Sequence, residues 1–182
     1  MPILKPTHFA LAALVAATAS SQQPAPDQQP AWSMDGLVIM AGRIPRQVPE
    51  DQEGILRATG AQPDQLRIAR IRTPDGYMFI VQGLGQPLCN ALGNCSSWVL
   101  DKEYHVLLTT SAESFRLQPD GSPDHIDIVT YVPGSATSGD LMRWRFDGRA
   151  YRRIACASLV MVKTGTGKKQ PMIPEIKPVA CR

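Results

Sequence analysis

Between Leu66 and Val162 the chain is divided into short runs of β-forming residues, and this division leaves room for little but antiparallel sheet. The runs are Leu66 to Arg72, Tyr77 to Gln82, Ser97 to Leu100, Tyr104 to Thr109, Ser114 to Leu117, Ile126 to Val132, Leu141 to Phe146, Ala150 to Ala155 and Ser158 to Val162. Short stretches rich in turn-forming residues part them, and short connections join antiparallel neighbours. The first two runs bracket Thr73-Pro74-Asp75-Gly76 and predict a hairpin. A single segment reads differently. Pro49 to Gly60 has proline and acids in its first turn, Arg57 in its last and glycine just beyond, as a short helix requires.

Tyr77, Phe79 and Val81 alternate with Met78 and Ile80, and Val106 and Leu108 alternate with Leu107. Strands apolar on both faces are expected to be central, with both faces covered. One short helix cannot cover a whole sheet. The expectation is therefore an α+β, mostly β fold: a strongly twisted antiparallel sheet that curls on itself or splits into a sandwich, with one short N-terminal helix closing part of one face.

The most explicit hairpin is Leu141 to Phe146, then Asp147-Gly148, then Arg149 to Ile154. Taken as a two-residue connection, Asp-Gly sets Phe146 opposite Arg149, Trp144 opposite Tyr151 and Arg143 opposite Arg152. Met142, Trp144, Phe146 and Tyr151 then share a core face. Arg143, Arg145 and Arg152 share the other, a basic face that calls for an anion or for acidic neighbours such as Asp127.

The ends of the chain are of another kind. Lys5 precedes the apolar run Phe9 to Ala17, which is too short to span a bilayer, and Ala17 and Ala19 suit cleavage after Ala19. Residues 1–19 read as a signal peptide, 20–33 as a disordered Pro- and Gln-rich lead, 34–162 as one domain and 163–182 as an extended tail. The 182 residues, 43% hydrophobic and 19% charged, suffice for one domain of ordinary size. A formal net charge of +3 is too near neutrality for a dedicated nucleic-acid binder. The basic Gly165-Thr166-Gly167-Lys168 lacks the P-loop spacing, since Val162 and Lys169 stand where Gly and Ser or Thr are needed.

Four cysteines in an exported chain favour disulfides. Cys89 and Cys95 bracket five turn-forming residues, which pairs them and leaves Cys156 to anchor the tail through Cys181. A zinc site using these thiols with His105 or His125 lacks the short Cys-x-x-Cys spacing. Ser96, Asp101 and His105 form the only nucleophilic set close in sequence, without a nucleophile elbow around the serine; His125 beside Asp124 and Asp127 reads as an ordinary strand-start histidine, and the two acids are not distinguished by sequence from surface charge. No catalytic set, metal or cofactor is implied. Within the Cys89–Cys95 loop, Asn90 and Asn94 offer amides, Leu92 an apolar tip and Gly93 a turn with positive φ.

The run Leu88-Cys89-Asn90-Ala91-Leu92-Gly93-Asn94-Cys95, the following Trp98-Val99-Leu100, and Trp144 to Tyr151 with Cys156 resemble small exported bacterial proteins of uncharacterised families. More distantly, a short disulfide-closed loop leading into a sheet is similar to the Ivy-type periplasmic lysozyme inhibitors. Here five residues rather than four separate the cysteines, and the loop carries no histidine. The resemblance implies a loop presented to a partner. The expected function is thus a secreted or periplasmic, non-enzymatic binding domain, an inhibitor or envelope-associated factor whose partner is a protein or envelope component. The alternatives are a structural or assembly module of the envelope, and a hydrolase using His105 or His125.

Overall fold

The computed structural model describes residue 32 and residues 37–39, 42–43, 49–74, 76–119, 126–165 and 171–181. The expected leader, most of the lead segment, Asp124 and His125 lie outside these. The first sheet has the spatial order β2 (Gly42–Arg43), β3 (Leu66–Thr73), β4 (Gly76–Gly83), β5 (Cys95–Leu100) and β6 (Val106–Ala112). The second has the order β1 (Leu37–Ile39), β7 (Ser114–Pro119), β8 (Ile126–Pro133), β9 (Ser138–Phe146), β10 (Tyr151–Lys163) and β11 (Met172–Val179). Every pairing is antiparallel, so the protein is mostly β, with two sheets and the helix α1 (Pro49–Thr59).

Of the two arrangements open to the sequence, the chain takes the sandwich. Met78, Ile80, Val99, Leu108 and Ala112 of the first sheet meet Phe115, Leu117, Ile128 and Tyr151 of the second in one buried cluster. Side chains of this size contribute about 1.5–3 kcal/mol each when a large apolar one is fully buried. The sheets are joined at one corner, where only Glu113 separates β6 from β7. Gln82 of β4 donates from Nε2 to the carbonyls of Ala112 and Glu113 at 3.0 and 2.9 Å, which fixes that corner.

The opposite parity of β4 explains the helix. Phe79 and Val81 face outward with Leu66, Ile68 and Leu100, and Ile55 of α1 packs into this second cluster. Tyr104 stacks on Phe79 at 5.6 Å between centroids, and its hydroxyl donates to Asp51 Oδ1 at 2.6 Å. Gly54 lets the helix approach: a Cβ there would fall inside the Tyr104 ring. On the far side of the second sheet Val129, Leu141, Ala157 and Leu159 form a third cluster, against which Trp32 and Ile176 pack. Trp32 therefore belongs to the packed domain, not to a disordered lead.

Several expectations need correction. β6 is not central but the edge of the first sheet, and Val106 is exposed. The runs on either side of Cys156 are one strand, β10, with a register shift between Arg153 and Ala155, so Cys156 lies mid-strand rather than at a strand end. The Asp147–Gly148 connection spans four residues, because Asp147 Oδ1 accepts the N–H groups of Arg149 and Ala150 and so stabilises a wider turn. Phe146 therefore opposes Tyr151 and Arg145 opposes Arg152, and the register shift after Arg153 sets Arg143 opposite Ala155. Finally, within the extended tail expected from 163 onward, residues 172–179 form an eight-residue strand paired with β10, so the second sheet runs past 162.

Both disulfides are present, Cys89–Cys95 and Cys156–Cys181. The second closes a separation of 25 residues, for which chain entropy assigns about 3.5 kcal/mol. Among the described residues no helix is long and apolar enough to cross a membrane.

Candidate functional site

The two ends of the sandwich carry different chemistry. At one end the β4–β5 connection is closed by Cys89–Cys95, and its interior is bonded to itself. Asn90 Oδ1 accepts the N–H groups of Leu92 and Asn94, each at 3.0 Å, and Asn90 N–H donates to the Asn94 carbonyl. Gly93 turns the chain with φ of +84°, where a Cβ would be strained. Asn94 is only 8% exposed and donates from Nδ2 to the Pro133 carbonyl at the end of β8, 3.1 Å away. Its side chain ties the loop to the second sheet. The outward surface is Asn90, Ala91 and above all Leu92, which is 48% exposed.

On the outer face of the second sheet the expected basic cluster is matched by carboxylates. Asp127, fully buried, accepts from Arg143 Nε at 2.5 Å and from Arg145 Nε and Nη2 at 2.9 Å. Arg152 Nε donates to Asp147 at 2.9 Å. The Ala150 N–H, the Arg152 guanidinium and the Arg149 N–H hold the Asp147 carboxyl well below the usual carboxylate range.

At the other end of the sandwich a pocket of about 240 Å³ opens between the sheets, walled by Tyr77, Met78, Leu107, Ile126, Phe146 and Tyr151 and rimmed by Asp101, Lys102 and Glu103. Tyr151 donates to the Ile126 carbonyl at 3.2 Å, and burial, with Asp127 adding to it, pushes its hydroxyl up to about 12. Asp101 Oδ2 lies 2.9 Å from His105 Nδ1, while Oδ1 accepts the N–H groups of Glu103 and His105. Ser96 does not join them: it sits five residues back along β5, about 16 Å away at strand rise. The His105 side chain is 76% exposed. Cys156–Cys181 is remote from both ends, in the β10–β11 pair. This mouth pocket escaped the sequence because its walls come from five strands and the turns between them, with no local pattern to mark it. No family model, curated protein or solved structure matches the chain.

Proposed function

We propose that the chain is an exported, non-enzymatic binding module that engages a protein or envelope component through the Cys89–Cys95 loop. The observation that carries this reading is a loop whose backbone is satisfied internally and whose one large apolar side chain, Leu92, is turned out to solvent. A loop already ordered loses little freedom on binding, so the contact made by its tip is not offset by ordering cost. The two disulfides and the apolar leader expected at residues 9–17 support export to an oxidising compartment.

The bond from Asn94 to Pro133 favours a second reading, in which the loop is a staple of a structural or assembly module. Mutation separates the two. Ala91→Asp with Leu92→Asp is expected to abolish capture of an envelope partner while the thermal midpoint stays within a degree or two. Asn94→Ala is expected to lower stability by about 1 kcal/mol through the lost buried hydrogen bond. Capture undiminished in the Ala91→Asp/Leu92→Asp protein would leave the loop as a staple only.

A further inference from the structure

The face of β10 and β11 that continues the inner side of the second sheet extends beyond the interlayer core, which takes Tyr151 from β10 and no residue of β11. Cross-strand pairing puts Cys156, Ser158, Val160 and Val162 on this face, opposite Val179, Lys177, Glu175 and Ile173. Val160 is 39% exposed, Ile173 47% and Val179 36%, so half of the exposed large hydrophobic side chains among the described residues lie here. Glu175 and Lys177 pair at 3.2 Å between the apolar ends.

Two observations narrow what can cover it. Thr164 N–H donates to the Pro171 carbonyl, so the odd-numbered residues of β11 turn their backbone groups toward β10 and the even-numbered ones turn outward. Pro174 and Pro178 are therefore on the free edge, where they offer no N–H, and addition of a further strand is disfavoured. Contact has to come through the face. Along β11 that face reads Ile173, Glu175, Lys177, Val179: apolar, acidic, basic, apolar. Reversed, the same order sets acid against base and apolar against apolar.

We propose that this face is a homodimer interface, in which a second copy of the chain packs across a two-fold axis crossing the strands at the level of Ile176. In that register Glu175 of one copy meets Lys177 of the other, twice. Ile173 meets Val179 of the second copy, and Val162 approaches the bridge that joins its buried Cys156 to Cys181. Such a contact is isologous, each residue pair occurring twice, and it is independent of the Cys89–Cys95 loop.

Sedimentation velocity of the disulfide-bonded protein from micromolar to millimolar concentration tests this. The native protein is expected to dimerise. Lys177→Glu turns both Glu–Lys contacts into like-charge contacts and is expected to weaken association about tenfold; Glu175→Lys should act alike. The double exchange Glu175→Lys/Lys177→Glu restores the complementary order and should recover the native dissociation constant, which no heterologous contact would do. Ile173→Asp should give monomer, with circular dichroism melts confirming that every variant is folded. A native protein monomeric throughout the range overturns the proposal, as does a folded double exchange that fails to recover association.

Discussion

Asp127 is the residue on which the outer face of the second sheet depends. It is fully buried between two guanidinium groups, and Arg143 is buried with it. Asp127→Asn would keep the volume but remove the buried carboxylate charge that Arg143 and Arg145 share, and breaking a buried ion pair costs about 3–5 kcal/mol; urea unfolding should show it, and a loss under 1 kcal/mol would mean that this pair adds little to the fold. Tyr151 contributes to the alkaline side of the stability profile. Its hydroxyl is raised in the fold from an ordinary value of 10.0 to about 12, so the folded state keeps a proton that the unfolded state gives up. Its contribution is whole below pH 10 and is lost as pH climbs toward 12. Stability measured across that window should fall less steeply in Tyr151→Phe. Strand alternation puts Arg143 and Arg145 on one face, and their like charges call for an acid such as Asp127, so this much was legible in the sequence. The cross-strand partner of Arg143 was not, because the turn depends on a carboxylate, that of Asp147, accepting two N–H groups beyond it, and because the register then shifts between Arg153 and Ala155, neither of which the dipeptide Asp-Gly reveals.

Among the elements, α1 could be read from its residues because its end signals are local: proline and acids at the start, arginine and glycine at the finish. Its docking could not. Gly54 sits in the middle of the helix, where glycine costs about 0.5–1 kcal/mol relative to alanine. The gain is tertiary, since only glycine admits the Tyr104 ring against the helix backbone. Gly54→Ala, which stabilises an isolated helix, should here destabilise by about 1–3 kcal/mol through overpacking; a raised thermal midpoint would show that the ring moves aside freely. β1 and β2, with three and two residues, are too short to carry a period. β11 was obscured by its prolines, which argue against a strand only when both edges must donate hydrogen bonds. The misplacement of β6 has a similar cause. Leu107 and Leu108 supply apolar groups on both faces, but alternation does not say whether a strand has one neighbour or two.

For the molecule as a whole, the order of the chain is nearly the order of the strands in space, and that is why the fold class followed from run lengths alone. Whether the strands form one curled sheet or two stacked ones turned on a single residue, Glu113, and on the side chain of Gln82 from a strand 30 positions earlier. No window of sequence contains both. The loop end and the mouth end lie at opposite extremes of the same strands, so each can be altered without disturbing the other. The Cys156–Cys181 bridge has a further consequence, for proteolysis. Lys163, Lys168 and Lys169 all lie inside the segment it closes. A trypsin cut at any one of them severs the chain yet releases nothing: the nicked protein should run as a single species on a denaturing gel without reductant, and shed its last strand only when thiol is added.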